Sequence, residues 1–315
     1  MPKQNTSTLL MVRPVGFRMN EQTATNNYYQ TVLDGLSPQE VNKNAETEFD
    51  RFVNVLRNKG IEVMVLQDTE DPDTPDSIFP NNWISFHADG RVGIYPMFAE
   101  NRRLERREQE VLSKLQNEMG LEVTEVVDFT EFEEHNKFLE GTGSIVLDRT
   151  YKVAYTAISE RTDRKAFEYF CQVFDFVGVV FNAYQTVGEK RLAIYHTNVM
   201  MCVANHFAIL CADCIDDEKE REMVINMLRD SGKEVIEISE EQTQRFAGNM
   251  LEVVNSENKS HLVMSTSAYE ALTDEQINTI EKYCEIIHSS LDTIEACGGG
   301  SARCMMAEVF LPEAH

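Results

Sequence analysis

The chain has 315 residues, of which 42% are hydrophobic and 26% charged, a globular composition sized for one large domain or two ordinary ones. With 53 acids against 29 bases the net charge is −24, which argues against a nucleic-acid or anionic-membrane surface, where clustered Lys and Arg are needed. No run of about 18 apolar residues is present to cross a bilayer, and the short polar stretch Met1–Thr8 lacks the apolar core of a signal peptide.

In chain order, a first strand is predicted at Thr8–Arg13, then an amphipathic helix over 39–59 and the β-rich run Ile61–Leu66. A hairpin follows, Asn82–Phe86 and Arg91–Tyr95 about Ala88-Asp89-Gly90, then a helix over 102–119 and the run Leu121–Val127. The same order recurs with Ser144–Leu147 and Lys152–Tyr155, helix 163–173 and Phe176–Phe181. It recurs again with Val199–Val203 and Phe207–Cys211, helix 216–231 and Glu234–Ile238. Met250–Val254 and His261–Met264, helix 273–283 and Glu285–Ile287 come next, and a last strand is predicted at Cys304–Phe310. The helix over 216–231 carries Asp216, Asp217 and Glu218 in its first turn and ends at Ser231-Gly232, with Met223, Ile225 and Met227 as its expected buried face. Gly60, Gly120 and Gly232 stand where C-caps are expected. The acidic run Asp68–Asp76 reads as a solvated loop and Glu105–Glu110 as an exposed helix face.

Asn82, Glu140, His196, Asn249 and Cys304 each stand at or just before the first strand of a hairpin, 58, 56, 53 and 55 residues apart. A near-constant period of this kind signals a structural repeat. The first and last strands each lack a hairpin partner. Their pairing would close a ring of five ββαβ units, making residues 1–315 a single α/β propeller domain without linkers. Such a ring brings five distant residues to a common axis.

Cys304 follows Gly298-Gly299-Gly300, where glycines allow close approach of a ligand. A lone cysteine is ordinarily a small buried hydrophobe, and its thiol, with a pKa of about 8.5, needs help to react at neutral pH. His196 can serve as acid or base and Glu140 as a steering or substrate-binding carboxylate. Cys211-Ala-Asp-Cys214, near His206, is an unsupported metal motif, since structural zinc needs four ligands and no second C-x-x-C exists. It reads as packing. The glycine run is followed by no Lys-Ser/Thr and no helix start, so it is not a phosphate loop. Seven scattered cysteines, an odd number, suit reduced thiols in the cytoplasm.

The segments Phe138-Leu-Glu-Gly-Thr-Gly-Ser144, Tyr195-His-Thr-Asn198 and Gly298–Cys304, in that order, resemble the guanidino-modifying superfamily of arginine deiminases, dimethylarginine dimethylaminohydrolases, agmatine deiminases and amidinotransferases. The resemblance runs from Arg13 to Phe310 and implies the five-bladed α/β propeller, or pentein, fold. It implies Cys304 as nucleophile, His196 as acid/base and Glu140 as the carboxylate beside the substrate nitrogens. Asp76 and Asn82, in Pro75-Asp-Ser-Ile-Phe-Pro-Asn-Asn82, would line the substrate end, and Arg161 would meet a substrate carboxylate. Asn198 and Asn249 complete the expected substrate-binding set. The implied chemistry uses no metal or other cofactor. The implied partner is a small amino-acid substrate, and a homo-oligomer is left open.

The chain departs from its relatives at Asn81-Asn82, where arginine deiminases end Arg-Asp and dimethylargininases Glu-Asp, and at Asn198, where arginine deiminases have Asp. A buried guanidinium calls for carboxylates, whereas an amide both donates and accepts and so suits a neutral ureido group. Val12-Arg-Pro-x-x-Phe17, Asn20, Thr23-Ala-Thr-Asn-Asn27 and Phe79-Pro-Asn-Asn-Trp83 are similar to the citrulline-utilisation-type hydrolases of the superfamily. The expected reaction is citrulline to ornithine, ammonia and carbon dioxide, with deimination, dimethylarginine hydrolysis or amidino transfer as the alternatives.

Overall fold

The structure, a computed structural model, describes residues 3–314. Among them are five three-stranded sheets and one two-stranded hairpin. Four of the sheets share one plan, in which a middle strand pairs antiparallel with the strand before it and parallel with the strand after it. They comprise Ile84–Phe86, Arg91–Ile94 and Glu125–Asp128; Val146–Asp148, Val153–Ala157 and Val177–Phe181; Met201–Val203, Phe207–Leu210 and Glu234–Glu237; and Leu251–Val254, Ser260–Ser265 and Glu285–Ser289. The fifth sheet joins the two ends of the chain. Thr8–Arg13 runs parallel to Glu62–Gln67 and antiparallel to Ala307–Glu308, with Leu9 opposite Glu308 and Leu10 opposite Ala307. The expected pairing of the first and last strands is therefore present.

Helices form the parallel crossovers. Pro38–Asn58 starts at a capping box between Ser37 and Glu40, and Gly60 takes φ +81° just beyond its end. Asp163 and Asp217 cap Arg164–Phe174 and Glu218–Asp230 through their side chains. In the latter helix the buried stripe is Val224 and Leu228, with Ile225 and Met227 packed at its edge and Met223 39% exposed. The expected face was thus rotated, because the i, i+4 pair Val224 and Leu228 points at the sheet. The predicted helix over 102–119 is broken into Glu100–Arg103 and Glu108–Asn117. Between them the chain tightens so that Glu105 folds back on Arg102. A hairpin of Tyr184–Val187 and Lys190–Ala193 was not anticipated.

Several of the strands that open the sheets are neighbours of one another. Ala307–Glu308 lies beside Ile84–Phe86, Val146–Asp148 beside Met201–Val203, and Met201–Val203 beside Leu251–Val254. The short turns that lead into these strands consequently converge. Cys304 was expected to open a strand but lies in the 3-10 turn Ala302–Met305, its N–H bonded to Ser301 O, and the strand proper is only Ala307–Glu308. All seven cysteines are buried and unpaired. Cys211 and Cys214 pack at a strand end with their sulfurs in contact, in accord with the packing reading. Among the described residues no helix is long and apolar enough to cross a membrane.

Candidate active site

The turns before the first strands carry the five residues of the sequence repeat. Pro80–Asn82 and Thr197–Val199 are single 3-10 turns, Gly141–Ser144 is one short helical turn behind Glu140, and Asn249 ends a turn begun at Phe246. Close approach explains the two glycines after Glu140. Gly141 sits at φ +44° against the carbonyls of Asn81 and Asn82, and a Cβ on Gly143 would lie 2.4 Å from Asn82 Nδ2 and 2.8 Å from His196 Nδ1.

His196 Nε2 is 2.7 Å from Glu140 Oε2, and Glu140 Oε1 accepts the N–H of Phe98. Burial resists ionisation of Glu140. Nevertheless the Arg161 charge, the His196 hydrogen bond and the Arg102 charge hold it down at about 2. Burial, reinforced by Arg161 and Arg102 against the pull of Glu140, lowers His196 to about 4. The pair at neutral pH is a carboxylate accepting Nε2–H of a neutral imidazole, which leaves Nδ1 as the free base.

Cys304 is 3% exposed. Asn249 Nδ2 lies 3.3 Å and Asn198 Nδ2 3.6 Å from its sulfur. Asn249 is itself fixed, donating to Asn198 O and accepting from Arg303 N–H. Two amide NH₂ groups thus lie beside one sulfur, and Asn198 Oδ1 stands 3.9 Å from it.

One small cavity, with about 10 Å³ of room or one water's worth, is lined by Cys304, His196, Asp76, Asn82, Arg161 and Tyr195, with Arg102, Phe79 and the glycines 298 and 300. Asn198 and Asn249 stand outside it, behind the sulfur, and Glu140 stands behind His196 with both oxygens engaged. The eight expected residues thus gather at one place, but these three act on His196 or Cys304 rather than on the cavity surface. Asp76 Oδ2 accepts from Asn20 and Thr23, while its buried Oδ1 has no partner. Arg161, stacked on Tyr195, donates to Asn26 Oδ1 and Thr23 O and lies 3.6 Å from Glu140. The segment 20–27 is therefore tied to residues that line the cavity, with Asn27 in the lining and reaching Gly298 and Gly299.

Arg102 and Glu105 were missed by the sequence reading. Glu105 is 4% exposed, not part of a solvated face, and pairs with Arg102 through both oxygens at 2.9 and 3.0 Å. Burial pushes its carboxyl up to about 8. Arg102 also donates to Asn82 Oδ1 at 2.8 Å and lies 3.8 Å from both Asp76 and Glu140. The i, i+3 spacing of the pair was the available signal, hidden by surrounding arginines and glutamates that do face water. Asp68, expected in a solvated loop, is likewise buried and accepts from Ser77 and Thr74.

A family model described as N,N dimethylarginine dimethylhydrolase, eukaryotic, matches residues 13–311. The chain belongs to this family. It is therefore a member of the guanidino-modifying superfamily that the sequence resembles. Among curated proteins none matches the sequence. Similar solved structures include ArgZ, an arginine dihydrolase from the ornithine-ammonia cycle in Cyanobacteria, at 16% identity and TM-score 0.72, covering 98% of this chain and 42% of that one. AgrE in a ternary complex with ornithine and NAD+ aligns at 16% identity and TM-score 0.73 over 97% of this chain and 39% of that one. A dimethylarginine dimethylaminohydrolase variant, as an adduct with S-methyl-L-thiocitrulline, aligns at 14% identity and TM-score 0.63, covering 98% of this chain and 100% of that one. The chain spans about two fifths of ArgZ and AgrE, and aligns with 98% of the isolated N-terminal domain of ArgZ at TM-score 0.70. At these identities the likeness establishes the α/β fold.

Proposed function

We propose that this chain is a cysteine-dependent hydrolase of a C–N bond in the guanidino or ureido group of a small arginine-like amino acid. The observation that carries the reading is a sulfur beside two asparagine amides at the wall of a small cavity that His196, paired with Glu140, also lines. The family match and the activities named for ArgZ and dimethylarginine dimethylaminohydrolase support the reaction class. The five similar sheets, the adjacency of several of their opening strands and the paired termini support a five-bladed propeller as the frame.

In this mechanism Cys304 attacks the planar carbon of the substrate, and His196 Nδ1 takes the thiol proton. His196, now cationic beside Glu140, returns that proton to the departing nitrogen. Water, deprotonated by His196, then cleaves the covalent thio-intermediate and frees the sulfur. With citrulline, loss of ornithine leaves a carbamoyl-Cys304, and its hydrolysis gives carbamate, which breaks down to ammonia and carbon dioxide.

The finer reading is a ureido substrate, citrulline or a close relative. Arg102 and Arg161 set two guanidinia among Asp76, Glu105 and Glu140, and burial pushes the Glu105 carboxyl up to about 8, so the negative charge near the substrate end is largely offset before a substrate enters. A second cation would meet little uncompensated negative charge. The unpartnered Asp76 Oδ1 favours the second reading, a guanidino substrate such as arginine or a methylarginine, although it accepts a ureido N–H equally well. Purified protein offered citrulline, arginine, methylarginines and agmatine, with assays for ornithine, citrulline and ammonia, separates the two. Citrulline made from arginine, with no ornithine made from citrulline, would sink the ureidase reading. A new guanidino product that requires an added amine would indicate a transferase. Cys304→Ala is expected to abolish every one of these turnovers, and residual turnover would overturn the shared mechanism.

A further inference from the structure

A second pocket, of about 290 Å³, lies at the other end of the sheets from the thiol. It is formed by two hairpin turns, Ala88-Asp89 and Arg149–Lys152, with Lys3, His87, Phe176 and Phe310. These turns follow the first strands that Asn82 and Glu140 precede, so each sheet's length separates the two cavities.

The charge here runs against that of the chain. Acids outnumber bases 53 to 29 overall, yet this lining holds three bases and one acid. The one acid, Asp89, is tied to Arg91 through a 2.6 Å contact. Glu308, outside the lining, pairs with Arg303 at 2.6 Å and reaches Arg149 only at 3.7 Å, so two arginines share one carboxylate. Among the described residues neither Lys3 nor Lys152 has a carboxylate within 4.0 Å; Asp89 and Asp175 act on Lys152 only from further away. His87, buried and stacked on Phe174, registers the resulting field. Burial lowers its pKa, and the neighbouring charges that lower it further are Arg149, Lys152 and Arg91.

Two of the three cations are also held in place. The Arg149 guanidinium lies 4.0 Å from the centre of the Phe310 ring and bonds Phe86 O, while Lys152 lies 4.6 Å from the Phe176 ring and bonds Phe174 O. Side chains fixed before a ligand arrives lose little entropy on binding it. We propose that this pocket binds a phosphate-bearing small molecule, its anionic head met by Arg149, Lys152 and Lys3 and its carbon part by the two phenylalanine rings. The site is independent of the reaction proposed for Cys304.

Isothermal titration of the full chain with pyrophosphate and with AMP tests this. Saturable one-to-one binding is expected, weaker in high salt and unchanged by Cys304→Ala. Lys3→Gln combined with Lys152→Gln should weaken it by at least ~10-fold, with an unaltered melting temperature in the absence of ligand. Lys3→Gln alone, in a segment outside the sheets, should weaken it without any risk to folding. Tighter binding of AMP than of pyrophosphate would bring the rings into the recognition, and equal binding would leave the anion head as the ligand. No saturable binding of either probe, or binding untouched by the lysine substitutions, would overturn the proposal.

Discussion

Gly143→Ala tests whether the geometry about His196 carries the chemistry. The backbone there does not take a positive φ, so alanine fits the main chain and only its methyl is in question. That methyl would lie 2.8 Å from His196 Nδ1 and Cε1 and 2.4 Å from Asn82 Nδ2. Ordinary contact needs roughly 3.4–4 Å, so the ring or the amide must retreat by about 0.6–1 Å. Neither moves freely, because His196 is held by Glu140 at 2.7 Å and Asn82 by Arg102 at 2.8 Å. Overpacking of this kind costs about 1–3 kcal/mol of stability, and a displacement of about 1 Å at a reacting group costs on the order of 10²-fold in rate. Steady-state kinetics on the best substrate, paired with urea unfolding, would read both. Gly120→Ala is the control. It sits at φ +64° with nothing within 4 Å of its added Cβ, so it should lose about 1 kcal/mol through backbone strain alone and keep its turnover. A folded Gly143→Ala enzyme within about threefold of the parent kcat/KM would refute the reasoning.

Asn249→Ala removes the nearer donor to Cys304 and the acceptor for Arg303 N–H. Hydrogen bonds to charged groups contribute about 1.5–3 kcal/mol, so iodoacetamide should alkylate Cys304 at neutral pH ~10-fold more slowly; an unchanged rate removes the asparagine from the account of the thiol. Glu105→Ala leaves the Arg102 charge buried without its bidentate partner and should cost about 3–5 kcal/mol in urea unfolding, whereas a loss of under about 1 kcal/mol would mark the pair as no stronger than a surface one. The pH dependence of stability has a definite sign at His196. Its folded pKa, about 4, lies below the ordinary value of 6.5, so the unfolded chain binds the proton first and stability falls as pH drops through this interval. Melting temperatures of His196→Gln should decline less steeply over that interval than those of the parent, and parallel curves would contradict the burial of a neutral imidazole.

The repeat was legible because its signals are local. Alternating apolar strands, capped helices and turn residues recur every 53 to 58 residues, and the observed sheets follow that order. Cys304, His196 and Glu140 could be found by their common place in the repeat, and each does sit in a turn leading into a first strand or, for Cys304, the last one. Arg102 and Glu105 were not legible, because in sequence a buried ion pair looks the same as a solvated charge run. Burial is a property of what packs on top, here the segment 20–27, Asp76 and Asn82. The same holds for Asn198 and Asn249. Sequence fixes them as amides but not which atoms they face, and tertiary contact turns both toward the sulfur. By itself, then, the sequence determined the order of elements, the period and the reactive residue types, since these depend on neighbours along the chain. The tertiary structure alone decided which charges are offset inside the cavity, since electrostatic compensation depends on distances between residues far apart in the chain, such as Arg102 and Glu140 or Arg149 and Glu308.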